Sequence, residues 1–272
     1  MYSVHYPCCS YDQTLDVLSL TKTNSPKTSS LPLADFWHPE RNIFQKEDLF
    51  RRIGASSLNL QEADYCFEYP TPAFQNRESG VTLPYSKSSM TDLMILFKEG
   101  ARITIEAKYT EYVKEEKYTP ILEDWYGNTE HKKAIIQCWI DYINRNGCGS
   151  ISSADELLNN NLELPYQFLH RTASACFMCK RPILVYQLFY DNNQSSIEKM
   201  KKFENLLKQC AEKLKLNSDA LPFFIVEIEV VSYPKRCKGN ASGLFSRMKQ
   251  QEQYQFGNTL SVLDGYTLSP RQ

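Results

Sequence analysis

Apolar and polar positions change period several times along this chain. Residues 44–53 (FQKEDLFRRI) set Phe44, Leu49, Phe50 and Ile53 at helical spacing, and Gly54 follows as a helix-ending glycine would. Residues 64–69 (DYCFEY) alternate, carry aromatics and stop before Pro70, which predicts a strand. The runs 92–97 (DLMILF) and 101–108 (ARITIEAK) flank Lys98, Glu99 and Gly100, so a β-hairpin with a three-residue loop is predicted. Residues 131–145 (HKKAIIQCWIDYINR) read as a helix stopped by Gly147. Ser153 with Glu156 forms a capping box for a short helix to about Asn160, and Pro165 suits the first position of another running to about Lys180. Residues 183–190 (ILVYQLFY) are apolar without a break, as in a strand buried on both faces. Ser195 with Glu198 opens a long amphipathic helix to about Leu216, and residues 223–231 (FFIVEIEVV) predict a further strand. The order of helix, three strands, helices, strand, helix and strand predicts the α/β class, with a mixed sheet flanked by helices on both faces.

Two stretches read as irregular. Residues 21–32 (TKTNSPKTSSLP) predict a loop or extended arm, so that residues 1–34 form an arm and linker and residues 35–272 one domain with a C-terminal extension. Residues 109–128, rich in Tyr and Lys and containing Pro120, predict a long functional loop.

Composition narrows the functional classes. Of 272 residues, 42% are hydrophobic and 23% charged, which is globular and neither disordered nor fibrous. With 31 basic and 32 acidic residues the formal net charge is −1, which excludes a polybasic nucleic-acid coat. It leaves open a nucleic-acid enzyme, which needs only a local basic surface. Nine cysteines without regular spacing speak against a disulfide framework and for a reducing compartment. Cys8 and Cys9 read as ordinary thiols. Met1–Leu20 lacks a basic stretch followed by an apolar core, and no run approaches 18 apolar residues, so a cytoplasmic protein with no signal peptide, membrane span or membrane partner is expected.

The hairpin carries the candidate chemistry. Its loop pairs Phe97 with Ala101, which puts Leu93 opposite Ile105 and Ile95 opposite Ile103 on an all-apolar face. The other face then sets Leu96 against Arg102, Met94 against Thr104 and Asp92 against Glu106, with Lys108 two residues beyond. Directly opposed carboxylates repel. Either Lys108 or a divalent cation between them would offset that repulsion, and an all-oxygen site suits Mg²⁺ or Mn²⁺.

Asp92, thirteen intervening residues and then Glu106-Ala107-Lys108 resemble the D-x(n)-E-x-K signature of the PD-(D/E)XK nuclease superfamily. The restriction-endonuclease-like core of that superfamily, helix, three strands, helix and strand, matches the order read over roughly residues 44–190. Thr91 stands where the superfamily name has Pro. The resemblance implies a metal-dependent nuclease hydrolysing phosphodiester bonds, with DNA favoured over RNA as partner. Asp92, Glu106 and the Ala107 carbonyl would hold the metal, and Lys108 would orient or help deprotonate the attacking water. Gln137, on the following helix, is similar to the Gln of related exonucleases, although Tyr142 falls one residue further on than in that pattern. Residues 67–72 and 169–176 (LHRTASAC) resemble stretches of restriction-endonuclease-like proteins of prokaryotic defence. A homodimer would suit cutting of both strands. The alternative is an inactive restriction-endonuclease-like fold acting as a nucleic-acid-binding or adaptor protein.

Other residues complete the expectation. Glu47, Glu62 and Glu68 are candidates for a further acidic ligand. Arg102 and Thr104 could line a groove. His170 could be an acid, base or phosphate contact, and Arg171 a phosphate or carboxylate partner. Cys176 and Cys179 read as core thiols, because no second pair completes a zinc set. Lys132 and Lys133, Lys199, Lys201 and Lys202, and the cluster of Lys235, Arg236 and Lys238 are the basic candidates for a phosphate backbone, with Lys199 to Lys202 reading rather as the solvated face of a long helix. Tyr109, Tyr112, Tyr118, Trp125 and Tyr126, beside Lys114 and Lys117, could stack on bases or pack as a small satellite core. Glu227 and Glu229 read as residues of a partly exposed edge strand.

Overall fold

The computed structural model describes residues 8, 10–21, 28–73, 88–110, 120–234, 248 and 253–266. Its sheet contains β1 (Asp64–Thr71), β2 (Ser89–Leu96), β3 (Ala101–Lys108), β4 (Arg181–Asp191), β5 (Phe223–Ser232) and β6 (Gln255–Asp264), side by side in chain order. The first three pair antiparallel, β3, β4 and β5 pair in parallel, and β6 returns antiparallel. The fold is thus α/β with a mixed sheet. Antiparallel neighbours need only short turns, whereas the parallel step from β3 to β4 needs a long crossover, and four of the described α-helices lie in it.

Helices cover both faces. α1 (Tyr11–Thr21), α2 (Ser30–Phe36) and α3 (Ile43–Arg52) bury Leu15, Leu31, Phe36 and Leu49 against Leu93, Ile95, Ile103, Ile105 and Val185. On the other face lie α4 (Leu122–Tyr126), α5 (Glu130–Arg145), α6 (Ala154–Asn160), α7 (Tyr166–Cys176) and α8 (Gln194–Lys213). They pack over Leu184, Tyr186, Leu188, Phe223 and Ile225. Val185 faces one layer while Leu184 and Tyr186 face the other. Both sides of β4 are therefore apolar, which is why its sequence reads as an unbroken hydrophobic run.

The hairpin has the expected register, with Leu93 opposite Ile105, Ile95 opposite Ile103 and Leu96 opposite Arg102. Phe97 N–H donates to the Ala101 carbonyl at 3.1 Å, and Gly100 N–H to the Phe97 carbonyl at 3.0 Å. Gly100 sits at φ +80°, a conformation that favours a residue without Cβ. The Thr129, Ser153 and Asn193 side chains each cap a helix, accepting from Lys132, Glu156 and Ser196 N–H groups. The long helix after β4 is therefore capped by Asn193 rather than by Ser195.

Four expectations change. The N-terminal arm is helical over α1 and α2, and Leu15, Leu18, Leu31 and Leu33 are core residues. The stretch 21–32 takes in only the end of α1 and the start of α2, helices whose stability comes from packing rather than propensity. β1 runs through Pro70 to Thr71, which is tolerated because β1 is the outer strand and Pro lacks only an N–H. The expected loop 109–128 contains α4, and residues 111–119, with Tyr112, Lys114, Lys117 and Tyr118, lie outside the described residues. β5 is not an edge strand, because β6 pairs along it. Glu227 is accordingly buried and bridged by Lys201 at 2.6 Å. Among the described residues, no helix is long and apolar enough to cross a membrane.

Candidate active site at the end of the β2–β3 hairpin

The β2–β3 ladder runs from Leu96 to Leu93, and one step further lie Asp92 and Glu106. There the Asp92 side chain replaces a strand carbonyl: its Oδ2 accepts the Ala107 N–H at 2.9 Å. Both carboxylates are buried, Asp92 at 4% and Glu106 at 0% exposure. Like charges so enclosed require compensation.

Glu106 receives it from two elements. Lys108 Nζ lies 2.8 Å from Glu106 Oε1. Gln167 and Arg171, one turn apart on α7, donate to Oε1 and Oε2 respectively. Burial alone would push the Glu106 carboxyl up, but Arg171 and Lys108 outweigh it and bring the pKa down to about 2. Glu106 is therefore held ionised, the form a metal or a cation needs.

The network continues along α7. Arg171 Nη1 donates to Ser89 Oγ at 2.6 Å, and Ser89 Oγ lies 2.7 Å from His170 Nδ1. Burial first, then Arg171 and Lys108, hold the His170 pKa well below its ordinary value. Its imidazole is neutral near pH 7, so it serves here as a hydrogen-bond partner. Residues 167, 170, 171 and 174 recur at helical spacing, and Ser174 Oγ lies 3.4 Å from Ser89 Oγ. That polar stripe, on the face of α7 packed against β2, β3 and β4, is the sequence signal for Gln167.

Beside this network opens a cavity of about 380 Å³, lined by Ser89, Trp125, His131, Lys132, Tyr166 and Arg171 among others. Trp125 and Tyr166 stack with ring centroids 3.7 Å apart, and Lys132 Nζ stands 5.4 Å from the Trp125 centroid. His131 Nδ1 is buried and accepts no hydrogen bond from the described residues.

The remaining candidates separate. Gln137 is engaged by other groups. Its Nε2 donates to Asp141 Oδ1 at 2.9 Å and its Oε1 accepts the Ala154 N–H at 2.7 Å, so it ties α5 to the start of α6. Glu62 is exposed and pairs with Lys98 at 2.8 Å by the hairpin turn. Glu47 is exposed on α3. Glu68 is buried, and the pairs Phe67–Leu93 and Tyr69–Thr91 set its Cα across from Asp92. It lies at φ +51°, which interrupts the pairing there. Arg102 donates to the Phe177 carbonyl at 2.6 Å, and the buried Thr104 to Met94 Sδ at 3.1 Å. Cys176 and Cys179 are buried and unbridged, as core thiols are. Residues 235–240 lie outside the described residues.

Among the described residues, no group of three or more His, Cys, Asp and Glu side chains is arranged to hold a metal. What Asp92, Glu106 and the Ala107 carbonyl offer is an all-oxygen donor set, which in kind suits a hard divalent cation. Glu106 would have to exchange a contact with Lys108, Gln167 or Arg171 to use it.

A family model described as a domain of unknown function (DUF6946) matches residues 10–229. No curated protein and no solved structure was found to match the chain.

Proposed function

The chain belongs to the DUF6946 family, which brings no activity with it, and we propose that this member is a metal-dependent nuclease on a restriction-endonuclease-like core. The observation that carries the reading is the burial of Asp92 and Glu106 at the end of one hairpin, with Lys108 2.8 Å from Glu106. The element order, three antiparallel strands followed by helices and a parallel strand, supports the core.

Asp92, Glu106 and the Ala107 carbonyl would hold Mg²⁺ or Mn²⁺, which when bound would acidify a water and neutralise phosphate charge. Arg171 and Gln167 hold Glu106 ionised and oriented. Lys108, released from Glu106, places its ammonium where charge builds on the phosphate. Ser89 and His170 fix Arg171 from behind. The cavity beside them joins aromatic faces to Lys132, a combination that suits a single nucleic-acid strand, with bases stacking and phosphates neutralised. DNA is the favoured substrate, and unbridged cysteines fit a reducing, cytoplasmic setting.

A second reading has a specific observation in its favour. Both Glu106 oxygens are already engaged by Lys108, Gln167 and Arg171. Such a cluster can serve as structure in an inactive, nucleic-acid-binding or adaptor protein.

One experiment separates the two. Plasmid, linear DNA and RNA are incubated with the protein and with Asp92→Ala, with and without Mg²⁺ or Mn²⁺, alongside calorimetric metal titration. The nuclease reading expects metal-dependent cleavage that falls at least about 10³-fold in the variant, a loss of the size of a major catalytic term. Absence of Asp92-dependent metal binding would overturn it in favour of the inactive fold.

A further inference from the structure

A second cavity lies on the opposite face of the sheet, between α2, α3 and β1, and its volume is about 800 Å³. That is the size of a small-molecule site. Trp37, Phe50 and Phe67, which belong to the apolar core of the α1–α3 face, contribute to its wall, together with Tyr65. The one buried cation in that wall is Lys46, 6% exposed.

Lys46 is unusual in its partners. Its Nζ donates to the His38 carbonyl at 2.7 Å, and it forms no ion pair with the described residues. Burial alone lowers its pKa, to about 8, with no carboxylate acting against it. A buried ammonium facing only a carbonyl is costly unless an anion completes it. The other charged groups in the wall are spoken for or face solvent. Arg51 pairs with Asp48, and Glu47 is exposed. His38 is held neutral by burial and by Arg41, and its Nδ1 accepts the Glu40 N–H at 3.1 Å.

We propose that this cavity is a binding site for a small molecule with a flat aromatic body and one anionic head, the head seated on Lys46 and the body against Trp37, Phe50 and Tyr65. Tyr65, which is only partly buried, and the uncovered edges of Trp37 and Phe50 supply ring contact, and the single cation selects one negative group. A carboxylate and a phosphate monoester satisfy the same geometry. The site shares no residue with the Asp92–Glu106 cluster, so the proposal stands apart from the nuclease reading.

The test uses the full chain and 1-anilinonaphthalene-8-sulfonate, an aromatic monoanion whose fluorescence reports binding, beside its uncharged parent N-phenyl-1-naphthylamine. One saturable site per chain is expected, with the anion bound at least tenfold more tightly than the neutral parent. Lys46→Met should erase that preference and Lys46→Arg should keep it. Displacement by benzoate or by adenosine monophosphate tells a carboxylate from a phosphate head, and adenosine should displace neither probe strongly. Equal affinity of the two dyes for the parent protein, or an unchanged preference in folded Lys46→Met, overturns the proposal. The dye comparison needs no variant, so failure of Lys46→Met to fold would not shelter it.

Discussion

Glu106 and Lys46 are both buried charges, on opposite faces of one sheet, and they are treated in opposite ways. Glu106 is surrounded by Lys108, Arg171 and Gln167, which come from its own strand and from α7. Lys46 faces a single backbone carbonyl. The first charge is completed by side chains of the described residues and the second is not. Burial of an ion costs several kcal/mol, and only matched partners offset it. A completed cluster therefore resists perturbation of either sign, while an incomplete one waits for a partner from outside the chain.

The largest effect that would sharpen this contrast comes from Glu106→Ala. It strands Arg171 and Lys108 against each other in the interior. A loss of about 3–5 kcal/mol in urea unfolding is expected, the range for breaking a buried ion pair. A loss below about 1 kcal/mol would mean that the cluster is well solvated, and the contrast with Lys46 would collapse.

Next in size is the pH response, which rises with pH at both sites but in widely separated windows. Glu106 falls from an ordinary 4.5 to about 2 on folding, so its contribution is present above 4.5 and is lost as pH drops toward 2. Lys46 falls from 10.5 to about 8, so between those values the unfolded chain binds more protons and stability from this group rises with pH. Unfolding titrations from pH 2 to 5 on the parent and Glu106→Gln, and from pH 7 to 11 on the parent and Lys46→Met, check both. Each variant should flatten its own limb only.

The smallest effect belongs to Gln137→Ala. The change removes the acceptor for the Ala154 N–H at the start of α6 and costs about 1 kcal/mol, as loss of a helix cap does. Metal affinity and any cleavage rate should stay within twofold of the parent. A selective loss of metal binding would restore Gln137 to the site.

The hairpin was the most legible part of the molecule. A three-residue loop and a period of two settle which residues share a face, and both signals sit within seventeen residues, 92–108. Asp92, Glu106 and Lys108 could be placed together on that basis. The partners of Gln167 and Gln137 are not legible for one reason: both are glutamines on helices, and helical periodicity says which face is buried but not what it meets. Arg171 was legible as a carboxylate partner only in kind. Which carboxylate it reaches depends on α7 crossing β3, some 65 residues away in the chain.

The N-terminal helices show the same limit from the side of packing. Residues 21–32 read as a loop from their Ser, Thr and Pro content, yet Leu31 finds a core to fill, as do Leu15 and Leu33 on either side. Local pattern determined the α/β class, the hairpin register and the shared face of Asp92, Glu106 and Lys108, because sheet periodicity and turn chemistry act between near neighbours. The tertiary structure alone decided that Arg171 and Gln167 complete Glu106, that β6 covers β5, and that Lys46 is buried with no anion among the described residues beside it. Those outcomes depend on which surfaces meet when distant segments exclude water together, and no local period encodes that meeting.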